Sequence, residues 1–469
     1  MNGLAGARLA IVNWRDPWHP QAGGAERYAW ELAVRLAARG ARPWFVTARA
    51  PGQSRRETVD GVEIERMGGR FTVYPLVLLW FLVRRRRIDA VIDCQNGIPF
   101  FTPWVLPRGC PVLCVVHHVH DGQFGMYFPA WLAWIGRTLE GPVARWTYRR
   151  HACVAVSLST MRAMRDRLAW TGPIYLLPNG VAGAEVCVKP ETGGPELVCV
   201  SRLVPHKRIE RIIELAAELR DRHPGLRVHI IGDGPAAPAL AEQVADQGLT
   251  DLVTLHGFLA EEAKAALVAR ADLQVSATRG EGWGLSVTEA AAAGVPTVAY
   301  DVDGLRDAVR DGVTGWLVRD GEDLAGTVDR ALAELGRPGR QAAVAQACRE
   351  WAASFDWDRT AERMAALLAP ALRTGSAQTA TVGAVVIRRY GGETDVVVQG
   401  PACDEVLPGE IVRPATDIEW LLGLARHGPE TGNGSVARSG SVARSGGAEG
   451  GERADEHPDR RARPADRRR

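Results

Sequence analysis

The sequence predicts an α/β protein built from two doubly wound domains in series, facing each other across a cleft. Three observations carry this. Short apolar runs alternate with amphipathic stretches from the start of the chain to about Leu368. The alternation is interrupted once, by a segment rich in Pro, Gly and charge at Lys189–Glu196. A length of 469 residues suits two domains better than one, because domains cluster at about 100–200 residues.

In the first half RLAIVN, PWFVT, VEIER, DAVID, VLCVV and CVAVS read as strands. Among the helices between them, GAERYAWELAVRLAARG places Ala25, Ala29, Leu32, Ala33, Leu36 and Ala37 on one face and ends at Gly40. In the second half ELVCVS, LRVHIIG, LVTLHG, DLQVSA and PTVAY read as strands. The helix KRIERIIELAAELRDR aligns Ile209, Ile212, Ile213, Ala216 and Leu219. Strands alternating with helices of about 10–15 residues form parallel sheets from βαβ units, so each half reads as Rossmann-like. The expected divisions are residues 1–187, residues 188–353, a C-terminal helix at 354–373, and a mostly disordered tail at 374–469. That tail has some strand character in AVVIRRY and DVVVQG before it turns to Gly, Ser and Arg and repeats SVARSG.

Composition narrows the function. A net charge of +2 argues against nucleic-acid binding, although arginines cluster at Arg84–Arg87, at Arg145–Arg150 and at the C-terminus. The eight cysteines form no CxxC pair, and several sit in strand-like runs as small buried hydrophobes, which suits a reducing cytoplasm. The N-terminus lacks the pattern of a secretory signal. The most apolar run, Val73–Val83, is well short of the ~20 residues that span a bilayer.

The strongest chemical signal is EGWGLSVTEAAAAGVP, Glu281–Pro296. A strand runs into a glycine-bearing loop and a helix starts near Leu285, which presents Ser286 and unpaired N–H groups to an anion. Gly282 and Gly284, flanking Trp283, let a ligand approach the backbone. Glu281 in the loop and Glu289 one turn into the helix are spaced to reach opposite ends of an extended ligand. In SRLVPHKRIE, Arg202 and Lys207 project from the C-terminal edge of the second sheet, and an Arg fork with a Lys point charge suits a diphosphate. Gly23 and Gly24 open another helix at the cleft. His117, His118 and His120 follow a strand; their spacing fits no standard metal site, so a polar contact to a sugar hydroxyl is the better reading. A competing dinucleotide pattern, GDGPAA, lacks the acidic residue that the next strand would need, since LVTLHG ends in His256 and Gly257.

As a set, from about residue 7 to 370, these motifs resemble glycosyltransferase family 4, the large retaining family with the GT-B fold. GGAERYAWELAVRLAARG is similar to the family's N-terminal glycine loop and helix, LPNGV to its interdomain signature, SRLVPHK to its phosphate-binding segment and EGWGLSVTEA to its E-x7-E motif. SFDWDRTAERMAALL resembles the final helix that crosses back to the first domain; Trp283 stands where Phe is more usual. The resemblance implies that Glu289 holds the donor ribose, Glu281 contacts hexose hydroxyls, Arg202 and Lys207 neutralise the diphosphate, and His117 lies near the sugar. It implies no metal and no cofactor. The donor would be a nucleoside-diphosphate sugar and the acceptor a sugar or a lipid-linked glycan of the cell envelope. Apolar, Trp-rich runs beside arginines suit an anionic membrane surface, which would make the enzyme peripheral on the inner face of the plasma membrane. The rival readings are a nucleotide-sugar epimerase or phosphorylase on the same fold, and a non-catalytic sugar-nucleotide-binding module.

Overall fold

The structure is a computed structural model that describes residues 4–183, 193–319, 321–374, 384–390, 393–399 and 411–412. The first lobe holds strands β1 (Arg8–Val12), β2 (Arg42–Thr47), β3 (Arg56–Val59), β4 (Val62–Arg66), β5 (Ala90–Asn96), β6 (Val112–His118), β7 (Ala152–Ala155) and β8 (Ile174–Leu176). They lie in the order β8-β7-β6-β5-β1-β2-β4-β3, parallel except for β3, which pairs antiparallel with β4. Six further strands make the second sheet: β9 (Glu196–Val200), β10 (Arg227–Ile231), β11 (Val253–Gly257), β12 (Leu273–Ser276), β13 (Thr297–Tyr300) and β14 (Gly315–Val318). Their order is β11-β10-β9-β12-β13-β14, all parallel.

Central strands such as β5 and β6 are buried along nearly their whole length. Helices cover both faces of a parallel sheet, so these strands read as continuous apolar runs rather than alternating ones. In both sheets the order reverses beside the first strand, at β1/β5 and at β9/β12. The crevice at such a reversal, at the carboxyl ends of the strands, is where ligands bind in open α/β sheets.

Strands β3, β8 and β14 are additional to those read from the sequence. The strand-like runs after residue 374 are strands as well: β15 (Ala384–Tyr390), β16 (Glu393–Gln399) and β17 (Ile411–Val412). They extend the first sheet antiparallel from β8 through a single pairing, Val386 with Tyr175. The rest of the expected disordered tail, and the first half of the expected linker, residues 189–192, lie outside the described residues.

The chain passes between the lobes twice, and the two passes are tied together. Val181 N donates to Phe355 O at 3.0 Å, and Thr360 Oγ1 donates to Pro178 O at 2.9 Å. Helix Trp357–Thr374 then lies on the first lobe, burying Trp357, Ala361, Met364, Leu367 and Leu368 in that lobe's core. Asp358 at its start pairs with Arg35 at 3.2 Å. Removing this helix exposes the core, whereas the described residues beyond it add one pairing to β8. Thermal unfolding is therefore expected to show a chain ending at Gly375 close to full length and one ending at Ser354 far less stable. Met364→Ala is expected to destabilise by about 2–5 kcal/mol, as other large-to-small core changes do.

Candidate active site

The second lobe brings three loops together at the carboxyl edge of its sheet. After β12, Thr278 Oγ1 donates to His206 O at 3.3 Å and to Gly280 O at 3.2 Å, which joins the loop before Glu281 to the loop after β9. Gly284, at φ 89°, then starts helix Leu285–Ala292. Glu281 is held through its backbone N–H on Asp303 O at 2.9 Å, and its carboxylate accepts from the Lys207 ammonium. The GDGPAA segment supports this edge. Leu203 N donates to Asp233 O and Ala236 N to Leu203 O, each at 3.0 Å, and a Cβ on Gly234 would collide with the Leu203 carbonyl. The glycines that resemble a dinucleotide pattern thus make room for the loop that carries Arg202.

The first lobe closes the site from the other side. Gly23 N donates to Glu26 Oε2 at 2.8 Å, while Arg15 Nε donates to Glu26 Oε1 at 3.1 Å. Arg15 also lies over the Trp14 ring at 4.2 Å. This buried brace fixes the Gly23–Gly24 turn at the start of helix Gly24–Ala38. A Cβ on Gly23 would sit 3.8 Å from Arg202 Nε, and one on Gly24 would sit 3.7 Å from Leu285. Two helix N-termini from different lobes therefore meet beside Arg202, and both present partial positive charge. Across the same gap Arg27 Nη1 donates to Glu289 Oε1 at 2.6 Å, and the Tyr127 hydroxyl meets His206 Nδ1 at 2.5 Å. Ser159 N donates to Asp307 Oδ2 at 2.9 Å.

The charges are unevenly matched. Lys207 pairs with Glu281, Arg15 with Glu26, and Arg27 and Lys264 with Glu289. Among the described residues Arg202 has no carboxylate within salt-bridge distance. The cleft thus holds a surplus cation where the two helix starts converge, an arrangement suited to a multiply charged anion. Burial, reinforced by Lys207 and Arg202, pushes His206 down to about 3, so it is a neutral donor or acceptor here.

Of the sequence-predicted residues, Arg202, Lys207, Glu281, Glu289, Gly23, Gly24, Gly282, Gly284, Leu285 and Ser286 gather at this cleft. Two side chains do not face it. Trp283 is buried and packs edge-on against Phe355 at 4.7 Å, because its strand-to-helix turn points it into the interlobe core. His117 is buried against the Tyr28 ring at 5.1 Å, with its Nε2 buried and without a hydrogen-bond partner among the described residues. Its backbone does reach the site, for a Cβ on Gly282 would collide with the His117 carbonyl. His118 takes the outward position, 3.7 Å from where a Cβ on Gly280 would lie. Sequence reasoning missed Arg15, Glu26, Arg27 and Lys264. Only Glu26 had a local signal, as an acid three residues after the helix cap.

Burial pushes the His117 imidazole down from 6.5 to about 3. An unfolded chain therefore binds a proton that the folded one refuses between those values, and stability falls as pH drops through that window. His117→Phe is expected to flatten this acid loss, measured as unfolding free energy at pH 7 and pH 5.

Comparison with known proteins bears on what this cleft is. The family model described as Glycosyltransferase Family 4 matches residues 22–182, and that described as Glycosyl transferases group 1 matches residues 188–350. The GDP-mannose-dependent alpha-(1-6)-phosphatidylinositol monomannoside mannosyltransferase of Mycobacterium tuberculosis is 28% identical over 397 residues, 77% of this chain and 98% of that one. The alpha-D-kanosaminyltransferase of Streptomyces kanamyceticus is 29% identical over 283 residues, 54% of this chain and 72% of that one. In fold, sucrose-phosphate synthase from Thermosynechococcus elongatus superposes with a TM-score of 0.65 at 20% identity, covering 76% of this chain and 97% of that one. With both lobes matched in order and a two-lobed α/β neighbour of the same build, the chain belongs to glycosyltransferase family 4 and is an enzyme that transfers a sugar from a nucleotide sugar.

Proposed function

We propose that this enzyme moves a hexosyl group, with retention of configuration, from a nucleoside-diphosphate sugar to a hydroxyl of a lipid-linked or cell-envelope glycan at an anionic membrane surface. In this reading residues 188–353 bind the donor, residues 1–187 the acceptor, and 354–373 return to the first lobe. The observation that carries it is the unpaired Arg202 at the meeting point of two helix N-termini. As the anomeric carbon–oxygen bond breaks, negative charge grows on the departing diphosphate. Arg202, Lys207 and the N–H groups of helix Leu285–Ala292 are already oriented there, which lowers the barrier. Glu289 takes the ribose and Glu281 the hexose hydroxyls. A histidine at the end of β6 contacts the sugar, and the greater exposure of His118 than of His117 favours His118 for that role. The acceptor hydroxyl attacks on the face the diphosphate leaves and gives its proton to the departing diphosphate oxygen, so no side-chain nucleophile is needed.

These roles separate in kinetics and binding. Arg202→Ala is expected to lower turnover by about 10²-fold, because its contribution grows as the bond breaks. Glu289→Ala is expected to weaken binding of donor and free nucleoside diphosphate together. Glu281→Ala is expected to spare diphosphate binding and to lower turnover and sugar discrimination. Calorimetry beside transfer rates distinguishes them, and wild-type transfer by all three would move the site elsewhere.

The acceptor reading rests on the first lobe's surface. Helix Val73–Arg84 exposes Leu76, Leu79, Leu82 and Val83, and helix Ala130–Thr138 exposes Trp131 and Trp134 at 66% and 65%. Arg70 lies 5.3 Å from both the Phe71 and Phe128 rings and so links the starts of these two helices. Arg85–Arg87 are exposed beside this apolar stripe, while Arg84 is occupied by Glu65 at 3.3 Å and by Trp80 at 4.9 Å. An apolar face edged by arginines matches an anionic lipid surface, each basic residue contributing about 1 kcal/mol near it. The mycobacterial relative, named for phosphatidylinositol monomannoside, supports an acceptor held in such a surface. Among the described residues no helix is long and apolar enough to cross a membrane. Sedimentation with anionic vesicles is expected at low salt, to weaken at high salt, and to be lost when Arg85–Arg87 and Trp131/Trp134 are changed to Ser. Indifference of the wild type to such vesicles would sink this part of the reading.

A further inference from the structure

We infer that Arg27 sets donor affinity by competing with the donor ribose for Glu289, an inference that rests on the ribose reading of Glu289 above. Both carboxylate oxygens of Glu289 are engaged: Oε1 by Arg27 of the first lobe at 2.6 Å, and Oε2 by Lys264 of its own lobe at 3.1 Å. Each oxygen keeps a second lone pair, but Arg27 reaches Oε1 from across the cleft, the side from which a ribose hydroxyl would approach, so the two compete for the same space. The two cations are not equivalent in what they can give up. Lys264 is also held by Glu261 at 2.9 Å on the same helix, Glu261–Arg270, and holds Glu289 in place from within its own lobe. Arg27 comes from across the cleft and has a second acid in reach, Glu31, at 3.6 Å one turn along its own helix. Moving Arg27 from Glu289 onto Glu31 leaves no buried charge unpaired. Glu31 in turn pairs with Arg35, and Arg35 with Asp358 of the crossing helix.

An alternating row of charges thus runs from Asp358 through Arg35, Glu31, Arg27, Glu289 and Lys264 to Glu261. It spans both lobes, and its only interlobe step is the Arg27–Glu289 pair. That pair is partly exposed, with side chains 29% and 20% accessible, so the interaction is modest and exchangeable rather than locking. The donor ribose replaces Arg27 on Oε1, Arg27 settles on Glu31, and Lys264 stays. Arg27 therefore acts as a positioning residue on the donor subsite: it holds Glu289 toward the cleft before the donor arrives and subtracts from the affinity with which the donor is held.

The test is titration of GDP, UDP and ADP by calorimetry into full-length wild type, Arg27→Gln, Glu289→Gln and the double variant, with thermal midpoints recorded for each. For the diphosphate that wild type binds tightest, Arg27→Gln is expected to bind about 1.5- to fivefold tighter, the range of a partly exposed ion pair. Glu289→Gln is expected to bind more weakly, and adding Arg27→Gln to it to change nothing. Inorganic pyrophosphate, which has no ribose, is expected to gain nothing from Arg27→Gln. If Arg27→Gln binds the nucleotide no tighter while Glu289→Gln binds it more weakly, the competition is refuted and the ribose reading stands. A gain that persists in the Glu289→Gln background, or appears with pyrophosphate, also refutes it. Binding by Glu289→Gln equal to wild type removes the ribose reading and this inference with it.

Discussion

The cleft depends on a contact between two backbones that leaves no space for a side chain. Gly282 of the second lobe lies so close to the His117 carbonyl of the first that a Cβ there would overlap it. This approach brings the two sheets together at their carboxyl edges. It seats Gly24 against Leu285, sets Arg27 opposite Glu289 and places Ser159 on Asp307. Each of these contacts draws one partner from each lobe. A bulkier residue at position 282 would push the lobes apart and weaken all of them together.

Within that frame the electrostatics are arranged by pairing. Most cations around the cleft already have an acid: Lys207 has Glu281, Arg15 has Glu26, Arg27 and Lys264 share Glu289. Such pairs lie partly or wholly out of water, where an isolated charge would be costly. They hold their side chains in place, but they also cancel much of the field. Among the described residues Arg202 has no carboxylate partner and lies beside the two helix starts, so an anion is attracted to that end of the cleft. A uniformly basic cleft would bind many anions; this one is selective in position.

How much of this was legible in the sequence varied with the range of the interaction responsible. The helices Gly24–Ala38 and Leu285–Ala292 and most strands were readable, because hydrophobic periodicity is a local signal. Strands β3 and β8 escaped because β3 (RETV) is mostly polar and exposed and β8 is only three residues long, whereas nothing in the length of β14 sets it apart from β7, β12 and β13, which were read. The gathering of Arg202, Lys207, Glu281 and Glu289 at one sheet edge was legible from topology, since the first three lie in the loops after β9 and β12 and Glu289 one turn into the helix that follows. The roles of His117 and Trp283 were not. Both belong to runs of outwardly polar or glycine-rich character, and only the packing of Tyr28 and Phe355 decides which neighbour turns inward. Arg27 and Lys264 look in sequence like ordinary solvated charges on amphipathic helices. Their meeting on one carboxylate joins residues 262 positions apart in one case and 25 in the other.

The two passages between the lobes, bound to each other at Val181–Phe355 and Pro178–Thr360, have a mechanical meaning. Two crossings at separate places would resist swinging; two crossings at one place form a single pivot. Hinging there would part the interlobe contacts Gly282–His117, Arg27–Glu289 and Ser159–Asp307 while leaving pairs within each lobe, such as Lys207–Glu281 and Arg15–Glu26, intact. Arg202, Lys207, Glu281, Lys264 and Glu289 all belong to one lobe, and the exposed apolar residues of helix Val73–Arg84 with Arg85–Arg87 to the other. The two surfaces could thus change their relation to each other without either being rebuilt.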